Sequence, residues 1–373
     1  MNPIELAKKH IKNLQPCIHG GEVWQHNPNK KDFLLDFSAN VNPLGPSPKV
    51  IETIKESLWK IPYYPDSNCP SLKEEISEYI GRIGPENLIV GNGSTELIYI
   101  FAEVFLEQGE KALIPAPTFG EYEKAVLKAG GRSEYLPLSL TDGFKIDVKE
   151  FIEKIPHVKV VFLCNPNNPT SLSIASEDLS KIIGEAMKED VLIFIDEDFM
   201  DFVPKEKRSS QVGEIKSYPN LFILKSFTKF FGLTGLRIGY GIGNREMIDI
   251  LSRAKMPWNI NCLAEVAAIA ALKDKQFSEK TFRLIEEEKE FLFDELNKIK
   301  GFDVLPPDSN FFLINIEQTR LKADELKRDL LKFDILIRDC SSFEGLDNRY
   351  IRVAIRTRKE NELLVEALKK VCL

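Results

Sequence analysis

The sequence predicts an α/β protein: a large domain whose mostly parallel central sheet is sandwiched by helices, followed by a smaller α+β domain. Three observations carry this expectation. Apolar strand-like runs alternate with helical patterns through the middle of the chain: NLIVGNG, KALIPAP, KVVFLCNP, VLIFIDED, LFILKSF and IGYGIGN. Those runs are continuous rather than alternating, as strands buried on both faces of a parallel sheet require. At 373 residues the chain exceeds what one ordinary core holds, so two lobes are expected.

In chain order, the first 45 or so residues are too few for a domain. They open on MNPIELAKKHIKNL, a short amphipathic helix pattern, and close on ANVNPLGPSP, a turn-rich stretch expected to cross the surface. Residues 1–45 therefore read as an N-terminal segment packing with the small domain, 46–257 as the large ligand-binding domain and 258–373 as the small domain. After Trp258 the texture changes to a long charged amphipathic helix (FSEKTFRLIEEEKEFLFDELNKIK), short strands around FFLINI, DILIRDC and IRVAIR, and a closing helix ENELLVEALKKV. There is no internal repeat.

Hydrophobic residues make up 43% and charged ones 29%, the balance of a soluble globular chain. A net charge of -7 lacks the basic excess that a nucleic-acid footprint needs, which points to a small ligand. No apolar run reaches the roughly 18 residues of a membrane helix and the N-terminus has no signal-peptide core, so no membrane partner and a cytoplasmic location are expected. The six cysteines lie far apart with no C-x-x-C pair, so neither a metal site nor a disulfide framework is indicated.

Four segments concentrate chemistry. In KSFTKFFGLTGLRIGY, Lys229 follows a buried strand, flanked by the hydroxyls of Ser226 and Thr228, with Arg237 further on. A lysine there can form a Schiff base with an aldehyde, and two hydroxyls with a guanidinium make a phosphate cradle; the bland alternative is a solvated lysine in a glycine-rich loop. In VLIFIDEDF, Asp196 ends an apolar strand, where α/β sheets place ligand-contacting groups, while Glu197 and Asp198 read as a solvated acidic strand end. VFLCNPNNPT puts Asn168 at another strand end, in a turn stiffened by Pro166 and Pro169. IVGNGSTELIYIF runs from a strand into a helix, so the N–H groups of Gly93, Ser94 and Thr95 would face an anion. Neither a G-x-G-x-x-G fingerprint nor a Walker A loop occurs, which disfavours dinucleotide and ATP chemistry.

Taken in order, GNGSTE, NPNNPT, DEDFMDF, SFTK and GLRIG resemble the fold-type I superfamily of pyridoxal-5'-phosphate (PLP) aminotransferases, within it the histidinol-phosphate aminotransferase branch. The resemblance implies PLP as cofactor, bonded by Lys229, with Asp196 pairing the pyridinium nitrogen and Asn168 donating to the phenolic oxygen. It implies a cofactor phosphate held by Ser226, Thr228, Arg237 and the backbone at Ser94 and Thr95, with Phe119 stacked on the ring. It further implies a homodimer with the active site at the subunit interface and Tyr64 reaching across from the partner.

Other segments carry a narrower resemblance. HGG from His19, DFSANVNPLG, MPWNINCLA, LIRDC and LDNRYIRVAIR are similar to the threonine-phosphate decarboxylase family, and the matched segments span His19 to Arg356. Phe199 stands where histidinol-phosphate aminotransferases usually carry a cofactor-bonding tyrosine, and Arg356 where they usually carry glycine; both fit the decarboxylase branch. Ser171 departs from the pattern only in a turn. This resemblance implies conversion of L-threonine O-3-phosphate to (R)-1-amino-2-propanol O-2-phosphate and carbon dioxide for cobalamin biosynthesis. Arg352 would grip the substrate carboxylate, while His19, Asn40, Arg338 and Tyr64 would define the phosphate side of the pocket. At least one of Arg338, Arg349 and Arg356 is expected to form a surface or inter-lobe ion pair instead. Transamination of the histidinol-phosphate kind stays open, as does, more remotely, a silent PLP-binding protein. Threonine phosphate and serine phosphate are not distinguished, because one methyl is worth only about 1–3 kcal/mol in a hydrophobic pocket.

Overall fold

The computed structural model of the chain describes residues 1–26, 34–81 and 83–372. A two-residue strand, β1 (Leu35–Asp36), precedes the seven that build the large sheet. These are β2 (Leu88–Gly91), β3 (Lys111–Ala116), β4 (Arg132–Pro137), β5 (Val160–Cys164), β6 (Leu192–Asp196), β7 (Leu221–Ser226) and β8 (Gly239–Ile242). Their spatial order is β2-β8-β7-β6-β5-β3-β4. Neighbours are parallel except at β8, which runs antiparallel to both β7 and β2. Each of the six apolar runs forms a strand. The seventh, β4, falls on RSEYLP, whose polar residues carry no such signal because this edge strand is mostly half-buried.

Period-two alternation sends the strand side chains into two cores. Ile89, Phe162, Phe194 and Phe222 meet residues of the helices Ser94–Phe105, Glu121–Ala129 and Arg245–Ala254 on one face. Phe194 is central there, its ring centroid 5.0 Å from those of Phe101 and Phe162 and 5.2 Å from Phe222. Val90, Leu163, Ile193 and Ile223 point the other way, into a core that continues into the small lobe.

The small lobe contributes β9 (Asp303–Val304), β10 (Phe311–Asn315), β11 (Ile335–Leu336), β12 (Arg338–Asp339) and β13 (Tyr350–Ala354). Four of these form a sheet of order β12-β13-β10-β9, whereas β11 pairs in parallel with β1. The helices Lys275–Asn297 and Arg358–Val371 are joined through buried Glu288, which accepts hydrogen bonds from Arg358 and Asn361. The helix Cys262–Lys273 packs on the helices Pro48–Glu56 and Pro70–Ile80.

Two N-terminal expectations need correction. MNPIELAKKHIKNL does not form one helix. It makes two four-residue turns, Pro3–Leu6 and Lys9–Lys12, separated by extended backbone at Ala7 and Lys8. No residue of either turn is buried, and a helix this short is not held without packing. Nor does ANVNPLGPSP run over the surface: Asn40, Asn42 and Ser47 are buried. The Asn42 N–H donates to the Lys229 carbonyl at 3.0 Å and its side-chain amide to the Phe230 carbonyl at 2.9 Å. The approach is tight, since a Cβ on Gly232, which has φ +70, would lie 2.6 Å from the Gly45 carbonyl carbon.

Replacing Phe194 by alanine should lower stability by about 3–5 kcal/mol through cavity formation. The check is the urea unfolding midpoint followed by circular dichroism, with Phe194→Leu expected to fall between the two.

Candidate active site

The carboxyl ends of β3, β5, β6 and β7 open on a cavity of about 630 Å³. This is the edge where parallel α/β sheets present ligand-contacting groups, because loops leaving neighbouring strands emerge together there. Phe119 comes from the loop after β3, Asn168 from that after β5, Asp196 and Asp198 from the end of β6, and Lys229 from the loop after β7. Arg338 and Arg352 enter from the small sheet, His19 and Asn40 from the N-terminal segment, and Thr95 and Arg237 are also among the lining residues.

Four of the other sequence-predicted residues stand behind this lining. A Cβ at Gly93 would lie 2.5 Å from Nη2 of Arg237, and the positive φ of +77 also favours glycine there. The Ser94 hydroxyl donates to Asp198 at 2.8 Å, and the Thr228 N–H donates to the Ser226 hydroxyl at 2.9 Å. Tyr64 is the exception: it is 81% exposed, stacks on Trp258 at 4.7 Å between centroids and does not line the cavity.

Asp196 accepts hydrogen bonds from the Tyr122 hydroxyl at 2.7 Å and the Asp198 N–H at 2.9 Å. Burial pushes its carboxyl well above the usual range, and the charge of Asp198 adds to the effect. The expectation that Glu197 and Asp198 form a solvated strand end is wrong, because they are 0% and 9% exposed. Loops cover this end of β6. Glu197 turns to the other side, within 3.4 Å of the Lys225 amine and bonded to Ser210 and Gln211. Burial also draws the Lys229 amine below the ordinary lysine value, with Arg352 and Arg237 adding to this and Asp198 opposing it.

On the far wall, Arg338 and Arg352 are cross-strand neighbours of β12 and β13. Arg352 donates to the Asn168 side chain and, at 2.6 Å, to the Ser38 carbonyl. Arg338 donates at 2.7 Å to both the Ile18 carbonyl and the Ser342 hydroxyl. The other two arginines are engaged elsewhere: Arg349 pairs with Asp347 and Glu317 in solvent, and Arg356 with Glu360.

Sequence reasoning missed three residues. Tyr122 and Glu121, which bonds His19, lie in PAPTFGEY, where only Phe119 was singled out. Asp198 was set aside because nothing local signals that a strand end is covered.

The residues match the family described as aminotransferase class I and II over 33–368, and the chain belongs to that family. It is therefore an enzyme of the PLP-dependent aminotransferase-like superfamily, of fold type I, with PLP as cofactor. Among its relatives is a protein provisionally named a threonine-phosphate decarboxylase, from Caldanaerobacter subterraneus subsp. tengcongensis, 39% identical over 97% of this chain and 95% of that one. A histidinol-phosphate aminotransferase from Methanocaldococcus jannaschii is 34% identical over 97% of this chain and 96% of its own. The crystal structure of L-threonine-O-3-phosphate decarboxylase from Porphyromonas gingivalis superposes with a TM-score of 0.80 at 27% identity, covering 91% of this chain and 99% of that one. A Sinorhizobium meliloti histidinol-phosphate aminotransferase solved with pyridoxal-5'-phosphate shares the fold, with a TM-score of 0.88 at 22% identity over 98% of this chain and 97% of that one.

The site's chemistry suits that cofactor. An amine, a deeply buried carboxyl and a guanidinium beside a helix N-terminus lie together, matching an aldehyde, a ring nitrogen and a phosphate. Asn40 Oδ1, Asp198 Oδ1 and Arg352 Nε are buried there without a protein partner, the state expected of groups that await a polar ligand.

In the cofactor-free protein, an amine-directed acylating reagent should modify Lys229 at a lower pH than an ordinary lysine, since burial favours the neutral amine. Its rate should fall as pH drops through the depressed pKa, and peptide mass spectrometry across a pH series checks this.

Proposed function

We propose that the protein decarboxylates a phosphorylated amino acid, L-threonine O-3-phosphate, to (R)-1-amino-2-propanol O-2-phosphate and carbon dioxide, in the supply of cobalamin biosynthesis. The observation that carries this reading is the pair of buried guanidiniums, Arg338 and Arg352, side by side on one wall and facing the Lys229 wall. Two adjacent cations suit a substrate with two anionic groups. Two further features support it: buried Phe199, whose ring centroid lies 5.8 Å from the Lys229 amine, and the 39% identity to the Caldanaerobacter relative.

When bound, PLP supplies an electron sink for whichever substrate bond stands perpendicular to its ring. In this proposal Lys229 would bond the cofactor aldehyde, Asp196 would pair with the ring nitrogen and Asn168 with the phenolic oxygen. Phe119 would pack on the ring. Gly93, Ser94, Thr95, Ser226, Thr228 and Arg237 would hold the cofactor phosphate. Arg352 holds the substrate carboxylate; Arg338, His19 and Asn40 hold its phosphate. Fixing both ends turns the bond to the carboxylate, rather than the α-hydrogen, to the perpendicular. Lys229 Nζ, freed when the substrate amine takes its place at the aldehyde, would give a proton to the α-carbon once the carbon–carboxylate bond has broken and carbon dioxide has left, would regain one from solvent, and would return to the aldehyde as the product amine leaves.

The protein is further read as a cytoplasmic homodimer. Trp59, Ile61, Tyr63, Tyr64, Met256 and Trp258 are all exposed, an apolar and aromatic patch of the kind that a second copy covers. Tyr64 would thereby reach the partner's cavity. Among the described residues, no helix is long and apolar enough to cross a membrane.

Incubation with O-phospho-L-threonine should release carbon dioxide and aminopropanol phosphate without an amino acceptor. Conversion instead of glutamate with imidazole-acetol phosphate would sink the decarboxylase reading in favour of transamination. Lys229→Ala should abolish the lysine-bound cofactor absorbance and lower turnover at least about a hundredfold. Trp59→Glu together with Trp258→Glu should shift the mass measured by light scattering from dimer towards monomer.

A further inference from the structure

His19 does not stand alone at the mouth of the cavity. Its Nε2 lies 2.7 Å from Oε1 of Glu121, the first residue of the helix Glu121–Ala129. The other carboxylate oxygen accepts the hydroxyl of Tyr99, from the helix Ser94–Phe105. The Glu121 side chain is 6% exposed, against 47% for His19, so the carboxylate sits behind the ring and the ring faces the cavity. Burial opposes ionisation of Glu121, but the bonds from His19 and Tyr99 prevail and hold its carboxyl at about 2. Burial and Glu121 both push the Tyr99 phenol up, so it stays a donor. An ionised carboxylate with one oxygen committed to Tyr99 can only accept at the other, and Nε2 must therefore carry the hydrogen.

The backbone that carries His19 is tied on both sides. Arg338 donates to the Ile18 carbonyl, and the Gly21 N–H donates to the Ser38 hydroxyl at 2.7 Å. Gly20 packs so closely that a Cβ there would meet the Ser38 carbonyl oxygen at 2.2 Å. The ring also lies 5.6 Å from Phe119 between centroids. Cys17, Glu123, Tyr135, Arg338 and Glu344 are the other titratable or charged groups at this end, with Lys124 beside Cys17. Burial, then Glu121, pushes the Cys17 thiol up to about 12, so it adds no negative charge near neutrality.

We propose that Glu121 is a positioning residue for the phosphate end of the cavity: it acts through His19, holding the imidazole in the orientation that presents it to an anionic substrate group. The inference rests on the reading of a phosphorylated amino acid as substrate. Glutamine at 121 separates this role from a merely structural staple. It keeps the size of the side chain but has one acceptor oxygen where the carboxylate has two, so the His19 Nε2–H and the Tyr99 hydroxyl can no longer both donate to it.

The test titrates the holoprotein with O-phospho-L-threonine and with L-threonine at one pH, following the cofactor absorbance, after equal cofactor content of all variants has been verified. Wild type should bind the phosphorylated amine more tightly than L-threonine. Glu121→Gln should weaken the phosphorylated amine about tenfold or more and leave L-threonine unchanged. In a His19→Asn background the same change should cost nothing further. Equal loss for both amines, or an undiminished loss in the His19→Asn background, overturns the inference. A wild type that prefers the phosphorylated amine while Glu121→Gln keeps that preference overturns this inference alone. A wild type indifferent to the phosphate overturns the substrate reading, and this inference with it.

Discussion

A carboxyl group that closes an apolar strand inside a sheet must be hydrogen-bonded or paired, because burying it bare costs several kcal/mol. Asp196 meets that demand with the Tyr122 hydroxyl and the Asp198 N–H, and much of the cavity is arranged around the arrangement this enforces. Tyr122 can reach only if the helix Glu121–Ala129 lies against the sheet, and that helix also fixes Glu121. Register does the rest: Cys164 pairs with Asp196, and Asp196 with Leu224, so the turns after β5, β6 and β7 emerge at one level. The strand interiors need only be apolar and close-packed, while their last residues carry the chemistry.

The cavity is the joint product of three segments distant in sequence. Arg352 bonds Asn168 of the large lobe and Ser38 of the N-terminal segment, and Arg338 bonds Ile18 of that same segment. Each arginine is thus held by neutral acceptors rather than neutralised by a carboxylate, which leaves its charge for a ligand. Arg349, nearby in sequence, is paired with two carboxylates in solvent. The difference lies in the partners and not in the residue type.

Much of this is legible in the amino-acid sequence. Six of the seven strands of the large sheet announce themselves because a strand buried on both faces must be a continuous apolar run. The turns carrying Asn168, Asp196 and Lys229 were legible because each interrupts such a run with groups that a core excludes. The edge strand over RSEYLP was not, since a mostly half-buried strand can be made of polar residues. The N-terminal amphipathic pattern misled for the opposite reason: periodicity describes what a segment could bury, and no residue of either turn is buried.

The sequence by itself determined the layered α/β architecture, because this follows from short-range patterns that any fold must respect, and its motifs pointed to the cofactor class through their resemblance to a known family. The tertiary structure alone decided that Asp198 is buried, that Glu121 stands behind His19, that Arg338 and Arg352 are neighbours, and that the stretch from Asn40 to Ser47 clasps the Lys229 loop. Those are pairings between residues tens to hundreds of positions apart, together with burial imposed by loops from elsewhere. Whether a polar side chain is solvated, bonded or left waiting for a ligand depends on what the rest of the chain places against it.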